Sequence, residues 1–244
     1  MSERSVGGAQ VEGRRAVLEL LRVGRREVHE VWCLRDSPDD EIVELAVTAG
    51  VRLRRVSESG FRERASSFQP QGVLAIAEPL RSRPLEDLIA PEVVLLVLDR
   101  VQDPQNLGAI LRSAAAAGVG GVILPERRGA LVTPAVTKVA SGALEYLDFA
   151  VVAGIPAALA TLQKQSVWTV GLAAEAEVAL ADCNLLAESI ALVVGAEGDG
   201  LARLTRQRCD LLAKIPMAAS VASLNVSAAT AVALFTIAGA RRVS

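Results

Sequence analysis

Three stretches carry residue types whose spacing suits chemistry. The first is DPQNLGAILRSAAAAG, residues 103–118. Between Leu107 and Ala117 its sole charged residue is Arg112. On a helix, the residues one turn from Arg112 are Gly108, Ala109, Ala115 and Ala116. None is a carboxylate, and none is large enough to cover a guanidinium. Arg112 is therefore a lone cation on a face cleared of bulk. Asp103 and Asn106 can each turn or cap the helix start. The second stretch is VGAEGDGL, residues 194–201. Gly195, Gly198 and Gly200 allow close backbone approach to a ligand, and the carboxylate of Glu197 between them calls for a partner. The glycine order is the reverse of the dinucleotide fingerprint, and it falls late in the chain. Together with the absence of a P-loop, this argues against other nucleotide-binding α/β enzymes. The third stretch is KIPMAASVASLNVSAATAVALF, residues 214–235. Ile215–Met217 reads as the end of a short strand. Ser223, Asn225 and Ser227 then enter an otherwise apolar helix, and three polar groups exceed what one N-cap needs.

The elements that must position these residues read as two domains. Residues 1–78 form a small mixed α/β unit. It has helices over 12–24 and 38–50 and strands at 28–34, 51–57 and 72–78. Residues 79–91, rich in proline, read as a linker. The second domain, 92–244, opens with a continuous apolar strand, VVLLVLD. Helix 107–117, strand 119–125, a helix capped by Thr133-Pro134, helix 155–165 and strands 167–173 and 190–196 follow. This alternation predicts an α/β fold, a parallel sheet with helices on both faces. In such sheets ligands sit past the carboxyl ends of the strands. The chemistry is then expected just after Asp99, Leu172, Gly195 and Ile215.

Composition sets limits. The formal net charge is −2, so any nucleic-acid contact must come from local clusters. Candidates are Arg14-Arg15, Arg25-Arg26, Arg52 with Arg54-Arg55, Arg127-Arg128 and Arg203-Arg206-Arg208. The three cysteines, Cys33, Cys183 and Cys209, include no CxxC pair, which predicts no zinc site and a reducing cytosol. The N-terminus has no apolar signal core. Val221–Ala240 is uncharged, but its Ser, Thr and Asn content marks a buried helix rather than a membrane span. His29 reads as a surface or strand residue. The expected location is cytoplasmic, with no membrane partner.

DRVQDPQNLGAILRSAAAAG, VVGAEGDGL and KIPMAASVASLNVSAATAVALF resemble the three signature motifs of the SpoU/TrmH (SPOUT) family, in order and spacing. These are S-adenosylmethionine-dependent RNA ribose 2′-O-methyltransferases. The resemblance implies a C-terminal trefoil knot. The front part, through GRRAVLELL and QGVLA, resembles the small ribosomal-protein-like RNA-binding domain of the branch that methylates a guanosine in 23S rRNA. Carried over by motif, the RNA-site and catalytic positions fall on Asn106, Arg112, Glu197, Ser223 and Asn225. The S-adenosylmethionine contacts fall on Gly195, Ile215 and Leu224, with Leu172 and Met217 bordering the adenine pocket. The resemblance further implies a homodimer acting on rRNA. Gln105, Pro70-Gln71 and Ala153 depart from the branch pattern of His, His-Gln and Asn, and bear on the target.

The resemblance makes Arg112 a candidate general base. A free guanidinium keeps its proton, however, and the alternative is a charged Arg112 that holds the substrate phosphate. Either role requires an Arg that is unpaired before RNA arrives. Asn106 and Asn225 are expected to orient the ribose or Arg112. Ser223 is expected to shape the site, and Glu197 to fix the loop or to partner Arg112. A tRNA target and a self-resistance rRNA methyltransferase stay open. A non-catalytic RNA-binding knot protein is the rival of another class. It would lack Arg112 or Asn225, and both are present.

Overall fold

The computed structural model describes residues 4–36, 40–66, 71–127, 132–218 and 223–243. Pro38, Pro70, Arg128 and residues 219–222 of the third motif lie outside them. In chain order the strands and helices are β1 (Ser5–Gly7), β2 (Gln10–Glu12), α1 (Arg14–Val23), β3 (Val28–Leu34), α2 (Asp40–Thr48), β4 (Arg52–Val56), α3 (Glu58–Arg64), β5 (Val73–Ala77) and β6 (Leu80–Arg81). They continue with β7 (Val94–Leu98), α4 (Pro104–Ala117), β8 (Gly121–Pro125), α5 (Pro134–Ala140), β9 (Phe149–Val152), α6 (Ile155–Lys164), β10 (Trp168–Leu172) and β11 (Val178–Ala179). The last are β12 (Ile190–Val194), α7 (Arg203–Arg208), β13 (Leu211–Lys214) and α8 (Val226–Val243).

The chain forms two compact units. One is Ser5–Arg81 with Leu131–Tyr146, and the other is Ser82–Ala130 with Leu147–Ser244 and the first residues through Arg4. The first unit is built on a four-stranded sheet of order β2-β5-β3-β4, with β3 and β4 parallel and the other pairs antiparallel. One face carries Val31, Val73 and Ala75 and packs on Ala16, Val17, Leu20 of α1 and Ile42, Ala46 of α2. α1 starts at Gly13, which offers no side-chain cap. Gln71 supplies one instead, its Oε1 accepting the Arg14 N–H at 3.2 Å. Helix α5, placed with the second domain on sequence, belongs to this first unit. A buried ion pair holds the end of its segment there. Arg26 Nη2 and Nε reach the Glu145 carboxylate at 2.5 and 3.0 Å, with side chains 6% and 2% exposed. Arg26 also donates to the carbonyls of Gly8 and Glu78. A buried charge needs this degree of satisfaction, and sequence distance gave no hint of the pairing.

The second unit carries a seven-stranded sheet of order β11-β13-β10-β12-β7-β8-β9, parallel at every pairing. This is the predicted α/β parallel sheet. Its central strands are apolar throughout because both faces are covered: Leu95 through Val97 and Ile190 through Val193 are fully buried. The chain runs outward from β7 through β8 and β9, then crosses to β10 on the far side of β12. That reversal opens a crevice at the carboxyl ends of β7, β12, β10 and β13. Among the described residues no helix is long and apolar enough to cross a membrane.

Candidate active site

Asn106, Glu197 and Asn225 are each placed by a strand or helix end of the second unit, whereas Arg112 lies within α4. Asp103 caps α4, its carboxylate accepting the Asn106 N–H at 2.7 Å, and Pro104 occupies the first turn. Because Asp103 does the capping, the Asn106 side chain is free for another task. It is buried, and its Nδ2 donates to Glu197 Oε2 at 2.9 Å. Asn225 immediately precedes α8 and does two things at once. Its Oδ1 accepts from the N–H and hydroxyl of Ser227 at 2.9 and 2.6 Å, an N-cap. Its Nδ2 donates to Asn106 Oδ1 at 2.9 Å and approaches Glu197 Oε1 at 3.4 Å. Three candidates from three separate motifs thus close into one hydrogen-bonded cluster.

Glu197 sits on the glycine loop after β12. Ala196 and Gly200 exchange backbone hydrogen bonds of 3.1 and 2.9 Å, which pinches the loop shut. A Cβ on Gly195 would lie 2.1 Å from the Gly200 carbonyl carbon, so only glycine fits there. Asp99 and Arg100, at the end of β7, hold this loop from behind. The Asp99 carboxylate accepts the Ala202 N–H at 2.7 Å. Arg100 Nη2 donates to the Gly200 carbonyl at 3.2 Å, with Asp199 3.7 Å from Nη1. Arg100 adopts φ +65°, a left-handed conformation that costs a non-glycine residue about 1–2 kcal/mol. Sequence reasoning located the end of this strand but missed Arg100, because a positive φ at arginine leaves no mark in the sequence.

A cavity of about 860 Å³ opens at the carboxyl ends of β10, β12 and β13. All five cofactor-side candidates, Leu172, Gly195, Ile215, Met217 and Leu224, line it, as do Glu197, Ser223 and Asn225. Sequence reasoning did not list Glu175, Arg206 and Lys214 as site residues, yet they also line it, and Arg206 is ion-paired with Glu175. Glu175 follows β10, Arg206 lies in α7 and Lys214 ends β13, so they share no local signal. β13 ends at Lys214, so Ile215–Met217 is loop and not strand. Cys209 is no nucleophile: burial, then Asp210 and Asp99, push its thiol up to about 12. No group of three or more metal-ligating side chains occurs among the described residues.

Arg112 is not in this cluster. Six residues along a helix rotate it by about 240° from Asn106. It is exposed, does not line the cavity, and has no hydrogen-bond or ion-pair partner among the described residues. Of the two roles expected of Glu197, fixing the loop or partnering Arg112, the second does not occur: Glu197 accepts from Asn106 and Asn225 instead. The reason is reach, since the face that carries Asn106 to the loop turns Arg112 away.

A parallel α/β unit with a glycine loop and a cavity at its switch point is the frame of a ligand-binding α/β protein. The chain belongs to the SpoU rRNA Methylase family, whose model matches residues 93–235. A second model, RNA 2′-O ribose methyltransferase substrate binding, matches residues 10–83. The chain is 40% identical over 233 residues to the 23S rRNA (guanosine-2′-O-)-methyltransferase RlmB of Vibrio cholerae, covering 92% of this chain and 94% of the relative. An AdoMet-bound rRNA methyltransferase from Sinorhizobium meliloti superposes with TM-score 0.78 at 26% identity, covering 93% of this chain and 85% of the other. The SpoU methyltransferase AviRb from Streptomyces viridochromogenes, in complex with AdoMet, shares the fold. Its TM-score is 0.83 at 23% identity, over 96% and 90% of the two chains.

Proposed function

We propose that this protein transfers a methyl group from S-adenosylmethionine to a ribose 2′-hydroxyl of RNA, at a guanosine of 23S rRNA. The observation that carries this reading is the Asn106–Glu197–Asn225 cluster beside the cavity at the carboxyl ends of the parallel strands. The near-full-length similarity to the guanosine-2′-O-methyltransferase of Vibrio cholerae supports the target.

The lining fits the cofactor. About 860 Å³ lies within the range that holds ligands of this size. Leu172, Met217 and Leu224 offer apolar walls for an adenine. The backbone at Gly195 and Ile215 offers hydrogen bonds. When bound, S-adenosylmethionine supplies an already activated methyl group. The protein's part is placement: a ribose oxygen held in line gains most of the available acceleration. The Asn106–Glu197–Asn225 cluster fixes the loop and the start of α8, so the cavity edge is rigid before substrate arrives. Ser223 shapes that edge. Arg112, exposed and outside this cavity, is assigned the substrate phosphate rather than proton abstraction, because a guanidinium is a donor and not an acceptor.

The same reading includes a C-terminal trefoil knot whose loops carry Gly195, Ile215 and Leu224, a cytoplasmic setting, and residues 1–78 as the substrate-binding domain, joined by 79–91 to the methyltransferase domain 92–244. It also includes a homodimer. Val232 and Phe235 on α8 are 45% and 50% exposed, an apolar stripe that suits a second copy. The test is incubation with labelled S-adenosylmethionine and unmodified 23S rRNA, followed by mapping of 2′-O-methyl sites. One methylated guanosine is expected. A site in tRNA instead overturns the target, and no transfer despite cofactor binding overturns the activity.

A further inference from the structure

The arginine run RLRRV of β4 is absorbed by nothing in the cofactor site. β3 and β4 run parallel with Glu30 opposite Arg52 and Trp32 opposite Arg54. Strand alternation therefore puts Glu30, Trp32, Arg52 and Arg54 on one face of the first unit's sheet. Arg55 pairs in register with the buried Cys33 and points to the other. The end of α3 lies over the same face as Trp32: Ser66 N–H donates to Glu12, and Gln10 Nε2 donates to the Arg64 carbonyl. Arg64 is thus brought to Trp32 from a different element.

The geometry is ordered. The Arg54 and Arg64 guanidinium carbons lie 5.3 and 5.5 Å from the Trp32 ring centroid, inside the range of cation–π attraction. Glu30 organises two of the three groups, accepting from Trp32 Nε1 at 2.8 Å and from Arg54 Nε at 2.6 Å. Desolvation alone would raise the Glu30 pKa. The hydrogen bonds from Arg54 and Trp32 and the charges of Arg54 and Arg64 outweigh it and hold the carboxyl below its usual range. Glu30 is therefore ionised at neutral pH and anchors Arg54 there. Arg52 and Arg64 are exposed and have no ion pair among the described residues. Three guanidiniums share this face with two carboxylates, Glu30 bound to Arg54 and Trp32, and the buried Glu12, which accepts from Gln10 and Ser66.

We infer that this face, Trp32 with Arg52, Arg54 and Arg64, is a docking surface for an unpaired RNA segment, which places its bases against the indole and guanidinium planes and its phosphates on Arg52 and Arg64. The inference deepens the proposed function by naming the part of residues 10–83 that touches substrate. Two properties select RNA. Flat π-faces and planar guanidiniums held in place are what splayed bases stack on, and the surplus positive charge suits phosphates. A surface kept only for stability would pair its cations, as α3 does with Arg62 and Glu58.

The test uses the full-length protein and in vitro transcribed, unmodified 23S rRNA. The variant Arg52→Glu/Arg64→Glu removes no ion pair seen among the described residues. It is expected to bind the RNA at least about tenfold more weakly, with a shallower dependence on salt. Its affinity for S-adenosylmethionine should not change, which reports an intact second unit. KM for RNA should rise while kcat holds. In a Trp168→Phe background Trp32 is the remaining indole, and its emission should be quenched by RNA. Unchanged RNA affinity in the double variant, or no response of Trp32, overturns the surface and leaves the methyltransferase reading standing. Weakened RNA binding in the variant, with no methyl transfer by the wild type, sinks the activity and keeps the surface. Absence of RNA binding by the wild type overturns both.

Discussion

The two sheets of this protein solve opposite problems. The seven-stranded sheet is covered on both faces, so its side chains make core and its function is confined to the strand ends. There the working groups are backbone, two neutral amides and one carboxylate, each satisfied by another. The four-stranded sheet buries one face on α1 and α2, and its other face, partly covered by α3, carries Trp32, Arg54 paired with Glu30, and the exposed Arg52 and Arg64. A sheet with both faces covered specifies a rigid cavity for a small cofactor. A sheet with one face only partly covered leaves side chains at its edge free to meet a large, irregular polymer.

The contrast can be tested, from the largest expected effect to the smallest. Glu145→Ala leaves Arg26 buried without its carboxylate and should cost the first unit about 3–5 kcal/mol, read as a lowered denaturant midpoint. Arg112→Ala should leave folding and S-adenosylmethionine affinity unchanged while kcat for methyl transfer falls about 10²–10³-fold, the loss typical of one charge-stabilising donor. Full activity in that variant would remove Arg112 from the mechanism. Glu197→Ala takes the acceptor from both asparagine amides and should cost about 1–3 kcal/mol of stability in thermal unfolding, with weaker cofactor binding. Arg100→Gly is the mildest. It relieves the φ +65° strain but loses the bond to Gly200, so net stability should move by less than about 1 kcal/mol. KM for the cofactor should still rise, because the loop is no longer held from behind. A stability gain with unchanged KM would show that Arg100 does not position the loop.

Arg112 and Glu197 mark the boundary of what was legible in the sequence. Both stood out by type: a cation without a counter-charge, and a carboxylate among glycines. Their pairing with each other was one of two roles expected for Glu197 and does not occur, because helical phase separates Arg112 from the Asn106 face. Ile215–Met217 was read as the end of a strand by its apolar character, and it is the loop that lines the cavity. The second helix of the first unit was visible from its acidic first turn and closing Gly50, and the buried strand β7 from its continuous apolar run, whereas α3 and α7 are short, highly charged helices with no apolar period to reveal them.

Local pattern determined the parallel α/β class, the places where strands end, and the residue types available there. Those properties depend on periodicity, caps and glycines, which are short-range. The tertiary structure alone decided three other things: the closing of Asn106, Glu197 and Asn225 into one cluster, the return of the segment ending at Glu145 to the first unit, and the meeting of Arg64 with Trp32. Each joins residues far apart in the chain through hydrogen bonds, charge or stacking. Such partners are chosen by which groups the folded backbone leaves unsatisfied, and no run of neighbouring residues records that choice.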